Sequence, residues 1–262
     1  MIVFAAIVPH SPLLLEPIGK ENQKHLKKTL EALQKLKEDL YLSRPDTILV
    51  ISSHATRHAS HFSINLHDEY QTDFRDFGDM STSHEFYPDL ELITAIRREG
   101  YDSNHPITLD SNVNLDYGAG VPLELLHSIG LTKKIVPVSY SGLSPKEHLA
   151  FGKMLQEVTQ NSSERIAVIA SGDLSHCLTS DAPGGFHKHA REFDETIQRA
   201  VAELSSSTLL SMKMLLIEET KSCVYEQLLI LFGLIERKRL RPEILSYEAP
   251  FGVGYLVAQF HL

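Results

Sequence analysis

Along this chain short β-branched runs alternate with longer segments of helical periodicity, and that alternation predicts a mostly parallel sheet covered by helices. The runs with strand character are Ile2 to Val8, Thr47 to Ser52, Ile135 to Ser139 and Ile166 to Ala170. A closing pair is predicted at Glu243 to Tyr247 and Val253 to Phe260. Helical periodicity covers Lys20 to Leu42, Asp89 to Glu99, Pro145 to Thr159, His187 to Leu204 and Cys223 to Arg237. Between Ser53 and Pro88 the pattern breaks down into a stretch rich in His, Asp and Phe, with Phe74, Arg75, Asp76 and Phe77 at its centre. This reads as a long loop or small hairpin over a site, because long loops in compact domains are more often functional than idle. With no repeat, low-complexity tract or linker, the expected fold class is α/β: one domain over 1–262, its central sheet flanked by helices on both faces.

Composition narrows the partners. A chain of 262 residues with 42% hydrophobic and 23% charged content can bury a large core. A net charge of −9, from 25 Lys and Arg against 34 Asp and Glu, without any basic block, argues against nucleic acid or an anionic membrane as the main partner. No apolar run reaches the roughly 18 residues of a membrane span, and no basic segment precedes the strand-like run after Met1, so the protein is expected in the cytoplasm. Cys177 and Cys223 are too few and too far apart for a disulfide framework or a CxxC zinc site, and read as reduced thiols. Histidine, at 14 residues, is the one excess, although His58, His61, His67, His187 and His189 sit in polar surroundings expected at the surface.

The placement of three other histidines carries more. Predicted buried strands run directly into Pro9-His10-Ser11-Pro12, into Ser52-Ser53-His54, and into Ser171-Gly172-Asp173-Leu174-Ser175-His176. In open α/β sheets ligands bind just beyond the carboxyl ends of the strands, so these imidazoles are placed to converge on one crevice. Pro9 and Pro12 stiffen the first loop by fixing φ, which pre-organises His10 or serves the strand end alone.

A carboxylate enters from a different argument. From Val224 to Ile235 the chain is apolar almost all round, which predicts a buried helix, and Glu226 lies in its first turn. A buried carboxylate is protonated, paired with a cation or bound to a metal. Glu226 also suits the positive end of the helix dipole, which needs no metal. Cys223, three residues earlier, shares roughly that face and is the alternative or additional ligand. His10, His54 and Glu226 around one ion, with open positions opposite, make the donor set suited to iron(II) and oxygen chemistry. Zinc(II) with hydrolysis stays open on ligand type alone. A serine hydrolase lacks its GxSxG elbow, and Gly118-Ala119-Gly120 and Gly252-Val253-Gly254 lack the spacing of a dinucleotide loop.

These motifs resemble, in order, the class III extradiol ring-cleavage dioxygenases of the protocatechuate 4,5-dioxygenase catalytic-subunit (LigB-like) type, with their Memo-like relatives. The resemblance runs through Pro9-His10-Ser11-Pro12, Ser52-Ser53-His54, Leu115-Asp116-Tyr117-Gly118 to Pro122-Leu123, Ser171 to His176, and Cys223 to Glu226. It implies a LigB-like architecture, layered in the manner of phosphorylases and peptidyl-tRNA hydrolases. It further implies His10, His54 and Glu226 as iron ligands and His176 as an acid/base. Memo-like relatives place a cysteine near the Cys223 position. The implied reactants are a catechol-like aromatic and O2, with a homo-oligomer or a small partner chain as the implied company.

One departure stands out. Ring-cleaving members carry Asp-His-Gly where this chain has Asp116-Tyr117-Gly118, and a phenol with a reference pKa of roughly 10 donates a hydrogen bond but is a poor base at neutral pH. Tyr117 is read either as a hydrogen-bond donor to bound oxygen or as packing at the sheet edge, and Asp173 as orienting His176 or a water. A Memo-like protein without catalysis and a zinc hydrolase are the competing classes.

Overall fold

The computed structural model describes residues 1–236 and 240–262. The chain opens with β1 (Ile2–Val8), a short helix α1 (Glu16–Gly19), α2 (Lys27–Ser43) and β2 (Thr47–Ser52). It continues through β3 (Phe62–Asn65), β4 (Tyr70–Gln71), β5 (Glu85–Pro88), α3 (Leu90–Asp102), β6 (Ile107–Asp110) and α4 (Tyr117–Leu126). Then follow β7 (Lys134–Ser139), α5 (Pro145–Asn161), β8 (Ile166–Ser171), α6 (Ala190–Glu203), α7 (Ser206–Leu210), α8 (Met214–Thr220), α9 (Tyr225–Ile235), β9 (Arg241–Glu248) and β10 (Tyr255–His261).

The main sheet has the order β4-β5-β7-β2-β8-β1-β10-β9. Its centre, β7-β2-β8-β1, is parallel, and β10 and β9 add antiparallel strands at one side. The register places Val8 opposite Ser171, Ala170 opposite Ile51, and Ser52 opposite Ser139. Three central strands therefore end level with one another, and the loops after β1, β2 and β8 leave from neighbouring points on one edge.

Alternation along the strands divides the core into two layers, since successive side chains point to opposite faces. Ala5, Ile7, Leu49, Ile51, Val168 and Ala170 pack toward α3, α5, α6 and α9. Phe4, Ala6, Val8, Ile48, Val50 and Ile169 pack toward α2 and α4. Helices thus cover both faces, as expected. On the first face α5 and α9 cross closely: a Cβ on Gly152 would fall 2.1 Å from the Ile230 carbonyl oxygen, and one on Gly233 2.2 Å from that of Leu149. Among the described residues no helix is long and apolar enough to cross a membrane.

Several predicted boundaries move for local reasons. The helix expected over Lys20 to Leu42 is divided at Leu26, where a 3-10 turn over Lys20–His25 ends and α2 begins. The helix expected from His187 starts at Ala190, because the His187 amide donates to the Cys177 carbonyl at 2.9 Å. α9 starts at Tyr225, because the Cys223 amide is spent on the Asp173 carbonyl at 3.1 Å; Arg237, its expected end, lies outside the described residues. The stretch between Ser53 and Pro88, expected as a long loop or small hairpin, carries β3, β4 and β5, with β4 and β5 paired as antiparallel neighbours and β3 added to β7. β6, α4, α7 and α8 had no predicted counterpart. Tyr117 therefore sits at a helix start, with Asp116 as its N-cap accepting the Ala119 amide at 3.2 Å.

Candidate metal centre

The three level strand ends bring His10 and His54 together. Their Nε2 atoms lie 3.0 Å apart, with the rings edge-on at 4.7 Å between centroids. His10 is buried and His54 stands at the surface. Burial first, then His54 and His176, hold the His10 pKa well below its ordinary value, and burial and His176 hold that of His54 down to about 4. Both rings are therefore neutral near pH 7, the form that ligates a metal.

The orientation of His10 follows from a proline in α4. Pro122 lies inside α4 and has no amide hydrogen, so the Gly118 carbonyl four residues before it lacks the usual helical donor. The Ser171 hydroxyl donates to that carbonyl instead. Having used its hydrogen there, Ser171 Oγ is left as the acceptor for His10 Nδ1–H at 3.0 Å. This fixes the tautomer of His10 with the lone pair on Nε2, aimed at His54 and at Cys223 Sγ, which is 3.3 Å away.

His10, His54 and Cys223 offer ligand atoms that all lie within 4.8 Å of one another. Nitrogens bound at about 2.0–2.1 Å in a tetrahedral site are separated by roughly 3.3 Å, so the donor set fits a first-row divalent ion. The Glu226 carboxylate is not part of that trio. It lines the same cleft as His54 and Cys223 from the first turn of α9, where burial pushes its pKa up and Arg57 opposes the shift. Burial and the neighbouring Asp173 charge push the Cys223 thiol up.

Tyr117 forms the wall beside these donors. Its ring stacks on His54 with centroids 4.1 Å apart and planes at 24°, and meets Phe77 edge-on at 5.3 Å. Burial and nearby acidic groups raise its pKa further, which strengthens the expectation that it donates and does not accept a proton. Asp116 receives the Ser52 hydroxyl, and Ser52 Oγ also accepts the His54 amide at 3.2 Å. Gly118 has to be small, since a Cβ there would fall 2.6 Å from Ser52 Oγ and 3.2 Å from the His54 ring.

The loop after β8 supplies the remaining groups. Asp173 Oδ1 accepts the His10 amide at 3.1 Å, and burial pushes the Asp173 pKa up to about 7. Its carboxylate thus faces His10, with Oδ2 3.9 Å from His10 Nε2. His176 lies near enough to depress both His10 and His54. Its Nδ1 faces the Leu174 carbonyl at 3.0 Å, which makes Nδ1 the donor and leaves the lone pair on Nε2. Burial lowers its pKa.

A cleft of about 350 Å³ opens over Ser53, His54, Cys223 and Glu226. Arg57 and Tyr140 border it, with the guanidinium 5.5 Å from the ring centroid and its Nε donating to the Ser141 carbonyl at 3.3 Å. Ser171, Pro122 and Arg57 were not singled out as site residues from sequence. Ser171 and Pro122 carried a signal, the first by its place in the run that leads to His176 and the second by its place in the motif that begins at Leu115.

The family described as the catalytic LigB subunit of aromatic ring-opening dioxygenase matches residues 4–258. Protein CA_C1420 of Clostridium acetobutylicum is 28% identical over 258 residues, covering 95% of this chain and 55% of that protein. The chain therefore spans about half the length of this curated relative. The crystal structure of uncharacterized protein JW3007 from Escherichia coli K12 is similar with a TM-score of 0.66 over 98% of this chain and 99% of that one, at 19% identity, a likeness of fold. The match over nearly all of the sequence settles membership: the chain belongs to the family of the catalytic LigB subunit of aromatic ring-opening dioxygenase.

Proposed function

We propose that this protein is an iron(II)-dependent dioxygenase of the extradiol type, opening a catechol-like ring with O2. The observation that carries the reading is the convergence of His10 Nε2, His54 Nε2 and Cys223 Sγ beneath an accessible cleft. Cys223 is the third donor on this geometry, and Glu226 is the carboxylate alternative within the same cleft. When bound, the metal would supply positive charge against two substrate oxygens and a site for dioxygen.

The remaining work falls to side chains. His176, with its lone pair on Nε2, takes the proton of a substrate hydroxyl and returns it later, a task suited to imidazole. Tyr117 closes the His54 side of the donor cluster and carries a hydroxyl that donates only. Asp173 holds the His10 backbone in place. Two unpaired cysteines accord with action in the reducing cytoplasm.

Cys223 favours a second reading. A thiolate beside two imidazoles suits zinc(II) as well as iron, and Tyr117 stands where ring-cleaving relatives carry histidine, so a Memo-like metal-binding protein without ring cleavage is the competitor. The deciding experiment loads the protein anaerobically with iron(II), counts the metal, and follows oxygen uptake and ring-fission products with a panel of catechols. Uptake coupled to product supports the dioxygenase. One bound iron with no uptake for any catechol overturns ring cleavage in favour of the Memo-like reading.

A further inference from the structure

The metal centre and the proton carrier leave the interior carboxyl of Asp194 unused. Asp194 lies in the middle of α6 and is fully buried. An interior carboxyl costs stability unless its oxygens are occupied, and an apolar side chain would fill the space more cheaply. Its oxygens are both occupied: Oδ1 accepts the Ser175 amide at 2.9 Å, and Oδ2 accepts the Tyr247 hydroxyl at 2.6 Å from β9, an outer strand of the sheet.

Ser175 is the residue before His176, and the ties around it are dense. The Gly254 amide donates to the Ser175 carbonyl at 2.9 Å, the Leu174 amide donates to the Gly254 carbonyl at 2.8 Å, and the His176 amide donates to the Thr220 carbonyl at 2.9 Å. Those bonds hold the loop from β10 and α8. The Asp194 bond holds it from α6, at the peptide between Leu174 and Ser175, whose carbonyl is the one that faces His176 Nδ1 at 3.0 Å. The amide bound by Asp194 and the carbonyl that accepts from His176 thus belong to one rigid peptide plane.

We propose that Asp194 is a positioning residue for His176. By fixing the Leu174–Ser175 peptide plane it aims the Leu174 carbonyl at Nδ1, which keeps the imidazole in its Nδ1–H tautomer with the lone pair on Nε2. Tyr247 holds the carboxyl in turn. The proposal rests on the reading of His176 as the proton carrier only for its functional meaning, since the tautomer exists without any substrate.

The test uses protein labelled with ¹⁵N at histidine, with the His176 ring signals assigned by their loss in His176→Gln. The wild type is expected to show a single Nδ1–H pattern. Asp194→Ala is expected to show averaged ring shifts from two tautomers while it still melts cooperatively, and Asp194→Asn, whose carbonyl still accepts the Ser175 amide, is expected to restore the single pattern. Should Asp194→Ala fail to fold, Tyr247→Phe, which removes the second partner of the carboxyl, is read in its place. A folded Asp194→Ala or Tyr247→Phe with unchanged His176 shifts overturns the proposal. In iron-loaded protein with a catechol it accepts, Asp194→Ala is expected to lower kcat by about 10²-fold with KM unchanged, and a change confined to KM also overturns it. If no catechol is cleaved at all, the dioxygenase reading fails while the ring shifts still decide the role of Asp194.

Discussion

The phenol ring of Tyr117 lies face to face with the imidazole of His54, 4.1 Å between centroids. The contact makes Tyr117 part of the support of a metal donor as well as a hydroxyl at the site. Tyr117→Phe, which keeps the stack, should leave metal affinity unchanged and lower turnover. Tyr117→Ala should weaken metal binding by about 0.5–1.5 kcal/mol, the worth of an aromatic pair, as read by competition with a chelator. Equal affinities for the two variants would show that the stack does nothing for His54.

The third donor is decided by metal stoichiometry. His10→Ala and His54→Ala should each lose the bound equivalent. Cys223→Ala should lose it too, since its sulfur is 3.3 Å from His10 Nε2, whereas Glu226→Ala should retain it. The reverse result would make Glu226 the ligand and Cys223 its neighbour.

Pro122 and Ser171 act on His10 through one chain of hydrogen bonds. Ser171→Ala leaves the His10 Nδ1 hydrogen and the Gly118 carbonyl without their partner, and should lower metal affinity by roughly 10–100-fold, the usual effect of losing such support. Pro122→Ala offers the Gly118 carbonyl a helical amide in competition with Ser171, and should shift affinity in the same direction by less. Isothermal titration of both variants with zinc(II) or iron(II) measures this.

Asp194 should make stability fall as pH rises. Burial pushes its pKa up to about 7, against the Tyr247 and Ser175 hydrogen bonds and Arg191, and with the help of Glu195. Its unfolded value is roughly 3.9, so the folded state binds the proton more tightly. The contribution is fully present below about pH 4 and is lost as pH rises through the folded value. Urea midpoints of the wild type, compared with Asp194→Asn, should therefore decline between about pH 4 and pH 7 by an amount on the order of a few kcal/mol. A constant difference over that window would refute it.

The α5–α9 crossing should tolerate no added methyl group. In Gly152→Ala the new carbon meets a backbone oxygen of α9, which cannot turn aside as a side chain would. A loss of about 1–3 kcal/mol is expected from overpacking, read from denaturant midpoints. Because α9 follows directly on Cys223, metal affinity should fall as well.

Much of this molecule was legible in one dimension. β1 and β2 ran as predicted, and β7, β8 and α5 differed by a residue or two at their ends, because buried strands and amphipathic helices carry their periodicity in the chain itself. α4 was missed for the opposite reason: Gly118, Gly120 and Pro122 are poor helix formers, and its stability comes from the Asp116 cap and from burial against α2 and the sheet. β6 was missed because its four residues pair with β3, a contact between distant segments.

The chain alone determined that histidines would follow strands onto one edge, because strand order in a parallel α/β sheet puts all carboxyl ends on the same side. It also marked Glu226 as the third ligand, with Cys223 as the alternative. That choice, the edge-on meeting of His10 with His54, and the route from Pro122 through Ser171 to a fixed imidazole depend on distances between residues more than 40 positions apart. Periodicity reports which face of an element is buried, but not how far a side chain on one element reaches toward another, and metal ligation is decided at the scale of that reach.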